Sequence, residues 1–196
     1  MTGSPSRNTA YRSRAVSPPD LSLTEWAVLG ILATQPAHGF ALSRQLQPDA
    51  PVGRVWSIPR PLVYRALGRL EDQGLVRPHA TEPGEGGPLR TVYRIERRGR
   101  VALDRWLHTP VEHLRDVRTE LLLKLVLCRR LGVDPRPLVR AQQSRFAPHF
   151  ASLALPASGP VDPVMRWRHE SSRAVARFLD GLLAEKVPSD TTVYPA

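Results

Sequence analysis

The side chains best placed for chemistry are basic, and they gather on one stretch, WSIPRPLVYRALGRLEDQGLV, from Trp56 to Val76. Val63, Ala66, Leu67 and Leu70 recur at helical spacing and predict one apolar stripe along a single helix. The opposite stripe holds Pro61, Arg65, Gly68 and Asp72, with Tyr64 and Arg69 at its flanks and Arg60 at its start. Pro59 and Pro61 suit a first helical turn, whose N–H groups have no partner within the helix, and Gly74 suits the end. A guanidinium group makes paired hydrogen bonds to phosphate oxygens or to the edge of guanine. A helix buried on one side, with arginines and a tyrosine on the other, therefore has the chemistry to enter a DNA major groove. A merely solvated face is the ordinary reading of such a stripe, so the neighbouring elements decide.

Two shorter helical patterns come first. Leu23 to Thr34 opens with Ser22 as cap and Glu25 at capping-box spacing. It is apolar nearly all round, which predicts burial on both sides and contact with a second domain or subunit. His38 to Gln47 follows, with Phe40, Ala41 and Leu46 expected inward. After the basic helix, Leu75–Thr81 and Leu89–Glu96 read as two strands around the turn EPGEGGP. In the second strand Arg94 alternates with Tyr93 and Ile95, so one face is buried and the other basic. Arg90 and Arg94 belong to this hairpin. Three helices and then a two-stranded wing is the order of a winged helix-turn-helix.

Length and charge agree with that order. The chain has 196 residues and a net charge of +10, and Lys124 and Lys186 are its only lysines. The basic balance permits a nucleic-acid partner without proving one, since GC-rich coding also enriches arginine. The lone cysteine, Cys128, leaves no internal disulfide and points to a reducing compartment. No apolar run is long enough to span a membrane, and no secretion signal is seen, so the cytoplasm is expected.

The C-terminal half reads as helical. Arg97 to His108 carries Val101, Leu103 and Trp106, and Pro110 ends it. Leu114 to Leu131 reads as one strong helix with Val117, Leu121, Leu122, Leu125 and Cys128 on a broad apolar stripe. Asp134 and Pro135 open a helix reaching about Leu153, with Leu138, Phe146 and Phe150 inward; Pro148 is expected to kink or interrupt it. After a Pro/Gly/Ser connector at 156–163, Val164 to Val187 forms the last helix. There Val164, Trp167, Ser171, Val175, Phe178 and Leu182 repeat on one face. That face fits packing on its own domain as well as an interface. Met1–Asp20 reads as a disordered basic arm and 188–196 as a tail.

Chemistry of other kinds is not indicated. His108 and His113 flank Glu112, but the spacing is not that of a metal site, and no metal or other cofactor is expected. Cys128 on an apolar stripe is most simply a core residue, since a catalytic thiolate needs an accessible, electropositive site. No catalytic residue emerges, because no phosphate loop and no nucleophile with a base is present. A winged-helix module for protein–protein contact is the alternative, and the arginines on the free helix face argue against it.

The runs LTEWAVLGILATQPAHGFALSRQL, WSIPRPLVYRALGRLEDQGLV and TVYRIERRGRVALDRWL resemble the PadR family of transcriptional regulators. Three stretches carry the likeness. They are the Leu-Thr-Glu-aromatic start with His38-Gly39-Phe40, the Tyr64-Arg65-x-Leu67-x-Arg69-Leu70-Glu71 core with Gly74-Leu75-Val76, and Val92-Tyr93-Arg94-Ile95 before Gly99. Two positions depart from the family pattern: Leu62, where a polar residue often stands, and Glu96, where Thr or Ser often caps the next helix. The resemblance implies a mainly α protein, with a winged helix-turn-helix DNA-binding domain over 21–110 and a helical dimerisation region over 111–187. It also implies a cytoplasmic homodimer that represses transcription from a pseudo-palindromic operator in double-stranded DNA. Arg60, Tyr64, Arg65, Arg69, Arg90 and Arg94 are the expected DNA-contacting residues. A small apolar or phenolic effector is implied as well, with Trp106 and Trp167 as candidate lining residues or, equally, ordinary core.

Overall fold

A computed structural model describes residues 19–84, 87–152 and 162–185. The arm expected over 1–20, but for its last two residues, lies outside the described residues. So do the wing tip at 85–86, most of the connector at 156–163 and the tail at 188–196.

Helix α1 (Leu23–Leu32) is the centre of the molecule. Trp26 through Leu32 are all buried, as its all-round apolar sequence requires. The capping box forms: Ser22 N–H donates to Glu25 Oε2 at 2.6 Å, and Glu25 N–H donates to Ser22 Oγ at 3.4 Å. Strand β1 (Ala37–His38) follows, then α2 (Gly39–Gln45), α3 (Arg60–Asp72), β2 (Val76–Gly84), β3 (Gly87–Ile95) and α4 (Arg97–His108). A 3₁₀ turn (Leu114–Arg118), α5 (Glu120–Leu131), α6 (Arg136–Ser152) and α7 (Pro163–Ala184) complete the order.

Helix α3 is shorter than its sequence pattern. Trp56 lies in a turn, its N–H bonded to Val52 O, and Ile58 N–H is held by Leu46 O. The residue before a proline tends to avoid helical backbone; Ile58 lies outside the helix, and Pro59 becomes the cap position. Gly74, at φ +65°, closes the other end. There Leu75 N–H reaches Leu70 O and Gly74 N–H reaches Glu71 O, which satisfies two carbonyls of the last turn.

The sheet has three strands in the order β1-β3-β2, one more than the hairpin expected, because Ala37–His38 pairs with Tyr93 and Val92. Arg77 and Arg94 stand opposite each other across β2 and β3. Like charges in that position repel. The Glu96 carboxylate binds both, Arg77 in a short contact and Arg94 at 3.5 Å. Glu96 is thus at the N-cap of α4 without a side-chain capping bond, its carboxylate being occupied across the sheet.

Four further expectations are corrected. Phe40 points outward and Leu42 takes the core position of α2. Val101 is exposed, while Ala102, Leu103, Trp106 and Leu107 form the buried face of α4. The run Leu114–Leu131 is broken at Thr119. That break lets Val117 and Leu121 face one core while Leu123, Leu127 and Cys128 face the other. Pro148 does not interrupt α6, which runs through it.

The first core joins α1–α4 and the sheet to the inner face of α5; the second joins Val111, the 3₁₀ turn and Leu121 to α6 and Leu179 of α7. Gln142 is wholly buried beside Val111. Its amide accepts from Val111 N–H at 2.8 Å and donates to Val111 O at 3.0 Å.

Lys124 is the unusual core residue, 1% exposed. Its ammonium donates to Thr109 O and to Glu120 Oε1, each at 2.7 Å, and lies 4.8 Å from the centroid of the Trp106 ring. Burial lowers its pKa, with Glu120 pulling the other way. Trp106 donates its indole N–H to the same Glu120 oxygen at 3.1 Å and stacks on Trp26 at 4.8 Å, the planes 7° apart.

Helices α1 and α5 approach closely at Gly30, where a Cβ would stand 2.5 Å from Leu127 Cδ1. Overpacking of this kind costs about 1–3 kcal/mol, against about 0.5–1 kcal/mol gained by removing a helical glycine. Gly30→Ala is therefore expected to destabilise the fold by about 1 kcal/mol in urea unfolding. An unchanged midpoint would mean that Leu127 can turn aside.

Candidate nucleic-acid interface

The exposed face of α3 and the inner edge of β3 frame a cleft of about 480 Å³. His38, Gly39 and Phe40 form its floor, Arg60, Tyr64 and Gly68 one wall, and Leu89, Arg90 and Thr91 the other. Val63, Ala66, Leu67 and Leu70 anchor α3 in the core, so Arg60, Tyr64, Arg65 and Gly68 must face out. Tyr64 is seated against Gly39 at the start of α2, since a Cβ on Gly39 would come within 2.6 Å of its ring. No atom stands within 4 Å of where a Gly68 Cβ would be, which leaves the middle of the helix face open. His38 Nδ1 accepts the Ala41 N–H at 3.1 Å and so caps α2.

The six arginine and tyrosine positions read from the sequence divide into two groups. Arg60, Tyr64 and Arg90 line the cleft, and Arg65 is exposed on the next turn of α3. Among the described residues, Arg60, Arg65 and Arg90 make no ion pair. Arg69 and Arg94 are engaged. Arg69 bonds Glu25 Oε1 at 3.3 Å, tying α3 to the capping box of α1, and Arg94 is held by Glu96. Tyr93 also lines the cleft, and its phenol pKa is raised by burial first and by the Glu71 carboxylate second. Phe40 and Leu89 are two cleft residues that sequence reasoning missed. Leu89, 73% exposed beside Arg90, breaks the alternation of the strand, and that was its only signal.

The two tryptophans expected around an effector lie in unlike surroundings. Trp106 is packed on Trp26 and under Lys124, whereas Trp167 is 73% exposed on α7. His108 Nδ1 is bonded to Asp104 O at 2.8 Å, and Glu112 pairs with Arg145 at 2.9 Å. Among the described residues no group of His, Cys, Asp and Glu is arranged to hold a metal ion. No described helix is long and apolar enough to cross a membrane.

Three packed helices, a small antiparallel sheet and a basic cleft between the third helix and the hairpin define a winged helix-turn-helix protein. Residues 28–105 match the family described as "Transcriptional regulator PadR-like family". That likeness lies within the winged-helix region and covers less than half of the chain. Over 92 residues it is 33% identical to the "Probable transcriptional regulator Rv1176c" of Mycobacterium tuberculosis (strain ATCC 25618 / H37Rv). The matched region covers 47% of each protein, so the chain spans about half the length of that curated relative. Similar solved structures include Bacillus subtilis PadR in complex with operator DNA, with a TM-score of 0.42 and 19% identity over 83% of this chain and 98% of that one. Another is smu.1604c from Streptococcus mutans UA159, with a TM-score of 0.40 and 19% identity over 82% of this chain and 98% of that one.

Cys128, the remaining nucleophile, is 1% exposed, and its thiol is pushed up to about 11, chiefly by burial. A thiol is reactive only as thiolate, so native protein is expected to resist alkylation at neutral pH and to react at the rate of unfolding. The linkage has a definite sign. A pKa raised by folding contributes stability below the unfolded value near 9.0, and that contribution is lost as pH rises to about 11. Denaturant melts should weaken across that window, and less so in Cys128→Ala.

Proposed function

We propose that this chain regulates transcription by binding double-stranded DNA, with α3 in the major groove and the β2–β3 wing against the backbone. The observation that carries this reading is the bare basic cleft. Arg60 and Arg65 on α3 and Arg90 on the wing face outward with no carboxylate to neutralise them among the described residues. What sets these three apart is their gathering around one open cleft, where phosphates and guanine edges would supply their acceptors. The family match and the name of the curated relative support the same reading.

In this assignment Arg65 reads a base edge, and Arg60, Tyr64 and Arg90 hold phosphates. Arg69 and Arg94, each bound to a carboxylate, mainly set the angle of α3 and of the wing. Residues 21–110 form the DNA-reading unit and 111–187 the pairing unit. Helix α7 supports the pairing. Only Ser172 and Leu179 are buried along its length, while Val164, Trp167 and Phe178 stand exposed on one stripe. Such a stripe suits a second copy of the chain. Two copies related by a two-fold axis would meet a pseudo-palindromic operator in the cytoplasm and repress by occupying a promoter. An apolar or phenolic effector would act by parting Trp26 from Trp106 or by wedging at the α7 stripe.

Gel shifts against genomic fragments test the main reading, and binding is expected to weaken steeply with added salt. Absence of binding at low salt would refute it. Arg65→Ala should relax preference at one base position by about 1–3 kcal/mol; unchanged preferences everywhere would move the readout to another residue. Trp167→Asp should turn a dimer into a folded monomer by light scattering, and a variant that stays dimeric places the interface elsewhere.

A further inference from the structure

Phe40 is the large apolar group whose position the core does not explain. Leu42 and Leu46 fill the core beneath α2, and Phe40 is left 36% exposed on the floor of the cleft. It is nonetheless covered by charge. The Arg60 guanidinium carbon lies 5.0 Å from the ring centroid and that of Arg90 lies 5.3 Å away. One arginine comes from the first turn of α3 and the other from strand β3, so a single ring joins the helix to the wing. Arg60 also lies 5.9 Å from the Tyr64 ring, which is itself seated on Gly39. The His38 ring stands 6.3 Å from Phe40 at 16° to it, fixed by its capping bond to Ala41.

Two like charges drawn to one ring repel each other. Neither is neutralised by a carboxylate among the described residues. The ring's negative face attracts each cation, and the neighbouring rings stop it from turning away. The result is a pair of guanidinium forks, ordered before any ligand arrives, whose donors still lack an anionic acceptor. Phosphodiester oxygens are acceptors of the right charge for such forks.

We propose that Phe40 is a positioning residue for the DNA backbone: it gathers Arg60 and Arg90 into one phosphate clamp, so that helix and wing grip the duplex together. This rests on the DNA-binding reading above. Phosphate contacts carry no sequence information. Phe40 therefore governs affinity for every duplex, and Arg65 governs preference among them.

The test uses the full chain and a labelled random-sequence duplex in a salt series. Phe40→Leu keeps the bulk and removes the ring, and it should weaken binding by roughly fivefold or more and make the salt dependence shallower. Phe40→Tyr should restore both. In an Arg60→Ala/Arg90→Ala background, Phe40→Leu should do nothing further, because the ring would have no arginine left to place. Relaxation of the arginine Nε–H groups in the free protein should show both side chains ordered in wild type and in Phe40→Tyr, and mobile in Phe40→Leu. Thermal unfolding checks that the leucine variant folds, and Phe40→Met replaces it if it does not. Wild-type affinity and slope in a folded, ringless variant would overturn the clamp. So would an undiminished loss in the double-arginine background, since the ring would then touch DNA itself. Wild type that fails to bind the duplex at low salt would instead overturn the DNA-binding reading beneath it.

Discussion

An ammonium group withdrawn from water costs several kcal/mol unless each donor is met, and the way Lys124 meets that demand fixes the join between the two halves of the chain. Its partners are the carbonyl at the end of α4, a carboxylate in the first turn of α5 and the ring of Trp106. Glu120 serves both the ammonium and the indole, so it cannot leave without stranding two donors. Trp106 in turn carries Trp26, and with it α1, around which the helices and sheet of the N-terminal half are packed. Replacing the whole polar group by apolar side chains could preserve stability; removing one member leaves an uncompensated charge in the core.

The same economy appears at the other end of α1. Glu25 completes the capping box with one oxygen and holds Arg69 with the other. The start of the central helix and the exposed helix α3 are thereby linked through one buried carboxylate. Glu96 repeats the pattern between the sheet and α4, relieving the repulsion of Arg77 and Arg94. Glu25 and Glu96 are thus both engaged in holding the framework, and neither reaches Arg60, Arg65 or Arg90.

Periodicity carried much of this into view. The buried stripe of α3, the extent of α4, the capping box at Ser22 and the hairpin are all local features, set by spacing of three and four residues or by alternation. What periodicity could not carry was anything that depends on a distant partner. Phe40 reads as core because phenylalanine usually is; only the arrival of Arg60 and Arg90 makes its exposed position tenable. Strand β1 is two residues long and exists through pairing with β3. The break at Thr119 has no glycine or proline to announce it and follows from two cores pulling on adjacent turns. Lys124 looked like one of two stray lysines in an arginine-rich chain, and no local pattern marks it as buried. At the cleft, residue types and the helix face were legible, while the division between free and engaged arginines was not, because Arg69 finds Glu25 44 residues away and the carboxylate beside Arg94 is fixed across the sheet by Arg77, 19 residues away.

The burial of Lys124 has a consequence for how the charge of this protein can be changed. Lys186 lies outside the described residues, so among the described residues no exposed amine is present. The positive surface there is built from guanidinium groups, which remain charged at any physiological pH. Acetylation, which silences lysine by removing its charge, has no exposed target among them. Among the described residues, an amine-directed label or cross-linker would leave this basic face unmarked.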